Sequence, residues 1–202
     1  MPVLCWYFTH GALRVGMHVR GQLSSADLAA FLEQTAIPLR LACRTPQDNL
    51  WMCSLWFRLV TAEGVGDEPM DDEAATGGST ADEATANETA DDNWRLQCAT
   101  SASADVVSFL ESDPNAAFEV STNRPPYAGV RGRGTVSIEP DPEKETLRDL
   151  LERYLGGTDS QLATTLLDPE REEVTLTLEP AVVYGWDYAS RMGDIGDDDQ
   201  RS

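Results

Sequence analysis

Arginine and glycine alternate with apolar residues in the segment AGVRGRGTVS, which spans residues 128–137. In a β-strand successive side chains point to opposite faces, so Arg131 and Arg133 would share one face with Thr135 and Ser137. The other face would carry Val130, Gly132, Gly134 and Val136. Arginine suits phosphate because its planar guanidinium makes paired, charge-assisted hydrogen bonds. The glycines would let a second backbone or a planar ligand approach the strand closely.

A second group of arginines occupies the two strands predicted upstream. Arg40 and Arg44 share a face with Ala42 in the segment IPLRLACRT, and Arg58 follows in LWMCSLWFRLV. These guanidinium groups are candidates for binding an anion. The alternative is that each of them balances carboxylates in a very acidic protein.

Hydroxyl side chains lie where a third predicted strand passes into a helix, in the segment ATSASADVV. Thr100 ends the strand, and Ser101 and Ser103 begin the helix, where free backbone N–H groups favour an anion. Plain capping of the helix by Ser101 or Ser103 requires the same residue types. Asp105 in the first turn suits capping and opposes a phosphate.

The second predicted strand carries an aromatic pair. Trp51, Cys53, Leu55, Phe57 and Leu59 would form its apolar face, and the other face would be amphipathic. Trp56, on the amphipathic face, is a candidate to line a flavin ring. The alternatives are a core position and a subunit interface.

Histidine and cysteine usage excludes several kinds of active site. His10 and His18 are the only histidines, and both precede the predicted core, so a Ser-His-Asp triad, a Cys-His dyad or a histidine metal site is not expected. None of the four cysteines forms a Cys-x-x-Cys pair. Cys43 and Cys53 could face each other across a hairpin, but a structural disulfide is not expected without secretion. The sequence identifies no catalytic residue and no metal site.

The charge balance indicates adaptation to concentrated salt. The chain has 35 acidic residues against 15 Lys and Arg, a formal net charge of -20, and Lys144 is its only lysine. High ionic strength would screen the self-repulsion of such a surface. The acidity disfavours binding to nucleic acid and to anionic membranes. We therefore expect a halophilic, cytoplasmic protein, since no apolar run approaches the ~18 residues that a membrane span needs.

The order of predicted elements indicates one mainly β domain with flanking helices. Residues 17–190 are predicted to form this domain, with six strands closed into a barrel and the helices on its outside. Residues 61–93 contain eleven acidic residues and no lysine or arginine, which predicts a disordered acidic insertion between two strands. Residues 191–202 are predicted to be a disordered acidic tail. Residues 1–16 have no basic leader, and a start at Met17 would make them a mis-annotated leader.

These segments together resemble the pyridoxamine 5'-phosphate oxidase-like, FMN-binding split-barrel family, from about residue 37 to residue 138 without the insertion. The shared features are a hairpin that ends in an aromatic pair, a strand-Thr-helix unit closed by Asp-Pro, and a Val-Arg-x-x-Gly strand. The resemblance implies a six-stranded split barrel that forms a homodimer with FMN in a cleft at the interface. One departure is the turn Ala104-Asp105-Val106, which has no cation where the family commonly has one to hold the phosphate.

The resemblance also implies which residues contact the cofactor. It assigns the isoalloxazine to Cys53, Ser54, Leu55 and Trp56, and the phosphate to the Thr100 turn and to basic residues on neighbouring strands. The complete predicted site is Arg40, Arg44, Cys53, Ser54, Leu55, Trp56, Arg58, Thr100, Ser101, Ser103, Arg131 and Arg133. We expect Arg40, Arg44, Arg58 and Arg131 to converge with the Thr100 turn on one groove.

The leading functional hypothesis is an FMN-dependent oxidoreductase that acts on a small molecule. Here FMN supplies the hydride chemistry, so no general base need be visible in the sequence. The alternative is a non-catalytic binder of a flavin, a deazaflavin or haem, which the missing phosphate cation favours. A third hypothesis is a partner-binding barrel whose acidic insertion makes the contact.

Overall fold

The computed structural model describes residues 16–61 and 94–192 of the 202-residue chain. In these ranges the chain forms eight β-strands, four α-helices and a short 3₁₀ helix. The strands are β1 (His18–Arg20), β2 (Leu39–Arg44), β3 (Leu50–Leu55), β4 (Arg58–Thr61), β5 (Trp94–Ser101), β6 (Asn115–Ser121), β7 (Ala128–Pro140) and β8 (Glu173–Asp187). The helices are α1 (Ser25–Gln34), α2 (Asp105–Ser112), α3 (Glu145–Leu155), α4 (Gln161–Leu166) and the 3₁₀ helix Ala189–Arg191.

The sheet closes through one interrupted strand. Its strand order is β3-β2-β6-β7-β8-β5-β4, and every neighbouring pair in that order is antiparallel. Only Trp56 and Phe57 separate β3 from β4 in the chain. Because β3 pairs with β2 and β4 pairs with β5, this stretch joins the two ends of the sheet. The mainly β split barrel is therefore confirmed.

Five of the six predicted strands correspond to β2, β5, β6, β7 and β8. The predicted second strand is divided into β3 and β4. The remaining strand, β1, pairs in parallel with β8 and was not predicted. Three residues carry too little alternation to indicate a strand. His18 lies in β1 and its side chain is exposed.

Apolar side chains from alternate strand positions fill the barrel. Leu41, Leu96, Val130 and Leu176 are each at most 1% exposed. Phe57 is fully buried between the two halves of the interrupted strand. Burial of such side chains is the main favourable contribution to folding.

Helices α3 and α4 cover one part of the outer surface. Leu147, Leu151 and Ala163 form a small buried cluster there, against which Trp56 and Ala99 of the barrel pack. β8 is consequently buried on both faces near its start. On the covered face the Thr175 hydroxyl donates a 2.9 Å hydrogen bond to Thr146 of α3.

Side-chain and backbone contacts define the ends of three helices. Ser24 caps α1, since its hydroxyl accepts from the Asp27 N–H and its own N–H donates to the Asp27 carboxylate. Gly156 ends α3 with φ 72°, the left-handed conformation that glycine adopts most readily. The N-cap of α2 is Ala104 and makes no side-chain capping bond, so the prediction that Ser101 or Ser103 caps this helix is wrong.

The predicted leader, insertion and tail lie almost entirely outside the described residues. Thr61, the first residue of the predicted insertion, ends β4 and pairs with Trp94, the first residue of β5. Arg191, where the tail was predicted to begin, is the last residue of the 3₁₀ helix.

Within residues 16–61 and 94–192, no helix is both long and apolar enough to cross a bilayer.

Candidate functional site

Four arginines stand on one outer surface of the barrel. The register places Arg40 beside Glu119 and Glu119 beside Arg131, with Arg133 two residues further along β7. Arg44 lies on the same face of β2 as Arg40. We call this surface of β2, β6 and β7 the arginine face. It gathers positive charge in a chain of net charge -20.

Burial on β7 fixes the direction of its arginines. Val130 is fully buried and Val136 is 5% exposed, whereas Arg131 and Arg133 are exposed. The predicted alternation is therefore confirmed, although the pairing with β8 shifts register between Arg133 and Gly134.

Two of these arginines are engaged by nearby polar groups. Nη1 of Arg40 donates to Glu119 Oε1 at 3.2 Å and to Ser121 Oγ at 3.1 Å, and Nη2 donates to Asn123 at 3.1 Å. Arg44 pairs with Asp48 in the turn between β2 and β3. Their positive charges are partly neutralised within the chain.

Arg131 and Arg133 differ from that pair. No carboxylate of the described chain lies within ion-pair distance of either guanidinium. The Cζ atom of Arg131 lies 5.6 Å from the centre of the Trp186 ring. These two cations are the part of the arginine face that is free to bind an anion.

The arginine face contains two neighbouring grooves. The central groove, of about 540 Å³, is lined by residues that include Arg40, Met52, Phe118, Arg131 and Tyr184. The adjoining groove, of about 580 Å³, is lined by residues that include Arg44, Leu50, Asp113, Asn115 and Thr135. Both grooves share the walls Ala42, Ala117 and Arg133. Each has a volume typical of small-molecule sites.

The four residues of the predicted flavin-contacting segment lie in different environments. Ser54 is exposed and pairs with Arg40, so it borders the arginine face. Cys53 and Leu55 turn inward and pack against the barrel core. Burial raises the pKa of the Cys53 thiol to about 11. Trp56 stacks on Tyr154 of α3, with ring centres 5.1 Å apart, so this tryptophan lies away from the grooves and under a helix.

Arg58 lies on the helix-covered side of the barrel. Its Nε donates to Gln97 Oε1 at 3.0 Å and its Nη2 donates to the same oxygen at 2.8 Å. It also pairs with Asp149 of α3. These contacts give Arg58 a structural role in attaching α3 to the sheet.

The Thr100 turn lies at the far end of the barrel from the arginine face. Thr100 pairs with Val174, and Val174 pairs with Pro140 of β7. Pro140 is seven residues from Arg133 along β7, which is about 23 Å at the usual rise of a strand. The Ser101 and Ser103 hydroxyls lie 3.0 Å apart and hydrogen-bond to each other. The expectation that Thr100, Ser101, Ser103 and the arginines converge on one groove is therefore wrong within a single chain.

The glycines of β7 make room for the barrel itself. A Cβ atom on Gly132 would lie 2.5 Å from the Val182 carbonyl oxygen and 2.7 Å from the Phe118 ring. One on Gly134 would lie 2.0 Å from the Glu179 carbonyl oxygen, at the register shift. The missing side chains at these positions make room for the backbone of β8. The close approach of a planar ligand is therefore not needed to explain why glycine occurs there.

Three contributors to the face were not identified from the sequence. Tyr184 lines the central groove, Trp186 holds Arg131, and Glu119 holds Arg40. Tyr184 and Trp186 alternate along the aromatic end of β8, in YGW, which was the available signal. The signal did not show which strand they would face.

In the described part of the chain, no group of three or more His, Cys, Asp or Glu side chains could hold a metal ion.

Comparison with known proteins gives a likeness of fold. No family model and no curated protein matches the sequence. A conserved hypothetical protein from Mycobacterium tuberculosis matches with a TM-score of 0.56 and 16% identity, over 83% of this chain and 86% of that one. An F420 reductase matches with a TM-score of 0.52 and 16% identity, over 81% of this chain and 98% of that one. A pyridoxamine 5'-phosphate oxidase-related, FMN-binding protein from Nostoc punctiforme has a TM-score of 0.44 and 14% identity, over 81% of this chain and 80% of that one.

Proposed function

We propose that the central groove binds FMN or a related phosphorylated ring, and that the protein is a flavin-dependent oxidoreductase for a small molecule. One observation carries this proposal. Arg131 and Arg133 line a groove of about 540 Å³ with no carboxylate partner in the described ranges. In a chain this acidic, unpaired guanidinium groups on one surface favour an anionic ligand.

The remaining walls of the central groove suit a planar ring. Met52, Ala42 and Ala117 give an apolar floor, and Tyr184 adds an aromatic side chain that is 39% exposed. A flavin would place its ring on these side chains and its phosphate at Arg131, which lines only this groove. When bound, FMN supplies hydride transfer, while the protein orients it and limits access of water.

We also propose that the protein is a homodimer in which the second copy covers the arginine face. Leu50 is 81% exposed and Met52 is 62% exposed, side by side on β3. Apolar side chains at this exposure are typical of a surface that is buried on association. A second copy would also exclude water from both grooves.

The identity of the cofactor is tested on full-length protein purified in molar salt. We expect a yellow protein with an absorbance band near ~450 nm, and release of FMN detected by mass spectrometry after denaturation. If the protein is colourless and added FMN causes no change in flavin fluorescence, the proposal fails. Deazaflavin is included in the titration because one protein of the same fold is named an F420 reductase.

The second candidate is a barrel that binds a flavin, deazaflavin or haem without catalysis. It is favoured by the turn Ala104-Asp105-Val106 at the start of α2, which carries no cation that could hold a cofactor phosphate. Binding of cofactor without its reduction by NADH or NADPH would support this candidate over the oxidoreductase.

A further inference from the structure

Arg133 separates the two grooves of the arginine face. It lines the central groove together with Arg131, and it lines the adjoining groove together with Asp113. Arg131 lines only the central groove and is held against Trp186. The two unpaired arginines therefore differ in position, and only Arg133 can reach a ligand in the adjoining groove.

The adjoining groove has opposite charges along its length. Arg133 provides a cation with no carboxylate partner among the described residues, whereas Arg44 is paired with Asp48 and also lies close enough to Asp113 to lower the pKa of that carboxyl. Asp113 provides a carboxylate, and its Oδ1 accepts both from the Asn115 backbone N–H at 3.0 Å and from the Asn115 side-chain amide at 2.7 Å. These two hydrogen bonds lower the pKa of Asp113 below its ordinary value, so the carboxylate stays ionised at neutral pH.

We propose that the adjoining groove binds the second reactant, a small acid that also carries an amine or hydroxyl group. Arg133 would bind its acid group, and Asp113 would accept a hydrogen bond from its amine or hydroxyl group. This proposal rests on the proposed function, because it places that reactant beside a cofactor in the central groove. The shared walls Ala42 and Ala117 place the two grooves side by side. Arg131 then serves the cofactor, and Arg133 serves the reactant.

Three probes of similar length test the charge pattern. Butyrate has an acid group only, 4-aminobutyrate has an acid group and an ammonium group, and glutarate has two acid groups. Their binding to FMN-loaded protein is followed by saturation-transfer NMR and by the change in the flavin absorbance band, at one fixed ionic strength. We expect 4-aminobutyrate to bind about tenfold more tightly than butyrate, because it gains a charge-assisted contact at Asp113. Glutarate binds most weakly, because its second carboxylate faces that of Asp113.

Matched variants separate the two arginines. R133Q should weaken 4-aminobutyrate binding by at least about tenfold while changing FMN affinity by less than about twofold. R131Q should do the reverse. D113N should remove the advantage of 4-aminobutyrate over butyrate. R191Q, which removes an arginine stacked on Tyr188 outside both grooves, should change neither ligand.

Two results would overturn the inference while FMN still binds the wild-type protein. One is an equal loss of FMN affinity in R133Q and R131Q, and the other is unchanged 4-aminobutyrate binding in R133Q. Absence of FMN binding to the wild-type protein instead contradicts the proposed function, and it is measured before any probe is added.

Discussion

The guanidinium carbon of Arg131 lies 5.6 Å from the centre of the Trp186 ring, so an aromatic side chain of β8 holds a cation of β7 beside the central groove. A cation over an indole ring gains about 0.5–1 kcal/mol at an exposed site. The contact limits the directions in which Arg131 points without neutralising its charge. Trp186 is thus a positioning residue for the proposed phosphate contact.

Removal of either member of this pair should weaken FMN binding to different extents. R131Q loses the charge-assisted contact, so its Kd for FMN should rise about tenfold. W186L keeps the charge and loses only the ring contact, so its Kd should rise about two- to fivefold. Flavin fluorescence titration measures both. Equal effects, or an effect of the same size in R191Q, would contradict the assignment.

Arg58 should prove structural. R58Q removes the hydrogen bonds to Gln97 and the ion pair with Asp149, so the free energy of unfolding should fall by about 1–2 kcal/mol, measured by urea denaturation at fixed salt. FMN affinity should not change. The matched control is R95Q, which breaks the surface ion pair Arg95–Glu179 and should cost at most about 0.5 kcal/mol. Lost FMN binding in R58Q with unchanged stability would restore Arg58 to the cofactor site.

Gly134 should tolerate no side chain. G134A places a Cβ 2.0 Å from the Glu179 carbonyl oxygen, so β7 and β8 must separate locally and the free energy of unfolding should fall by at least about 2 kcal/mol. G16A is the control, since a Cβ on Gly16 has nothing within 4 Å. If G134A unfolded at the same urea concentration as wild type, the close approach of β8 would not be the reason for this glycine.

The thiols of Cys53 and Cys98 should react slowly and with a steep dependence on pH. Burial raises the pKa of Cys53 from 9.0 to about 11, and it raises that of Cys98 as well. Only the thiolate is nucleophilic, so the rate of Cys53 alkylation by iodoacetamide should rise about tenfold per pH unit from pH ~8 to ~10. Peptide mass spectrometry resolves the sites. Rapid modification of Cys53 at neutral pH would contradict its raised pKa.

The same shift makes a prediction for stability. A thiol with a raised pKa in the folded state holds its proton at a pH where the unfolded chain, with a pKa of 9.0, releases it. The unfolded state then binds fewer protons, so the free energy of unfolding should decrease as the pH rises above about 9. C53S should reduce this decrease. Urea denaturation at pH 8, 9 and 10 measures the difference.

The proposed dimer should depend on β3. M52E adds a charge to the apolar part of the arginine face, so light scattering in molar salt should show a monomer where the wild-type protein is a dimer. L162E is the matched control, because Leu162 is 48% exposed on α4, outside both grooves. Dissociation by L162E alone would place the subunit interface on the helices.

Alternation along single strands was the reliable signal in this sequence. It assigned Arg131 and Arg133 to the exposed side of β7 and Val130 to the core, because the period of a strand is set by local geometry. It also placed Trp56 and Arg58 on the face of the strand opposite to Phe57, which is fully buried. The order of such segments predicted a closed barrel, and the resemblance to a known family implied that it is a split barrel.

The grouping of these side chains could not be predicted, because it depends on register and helix docking. Arg58 pairs with Asp149, 91 residues away, only because α3 packs on that side of the sheet. The distance between Thr100 and Arg133 follows from how β5, β8 and β7 are aligned, which no local pattern specifies. Trp186 reaches Arg131 for the same reason.

The pairing of Thr61 with Trp94 has a practical use. The two residues on either side of segment 62–93 are direct neighbours in an antiparallel ladder. The two ends of the segment that connects these residues are therefore held a short, fixed distance apart. The length of that segment does not change the pairing of the strands. A compact domain whose own termini adjoin each other could therefore replace residues 62–93 without separating β4 from β5.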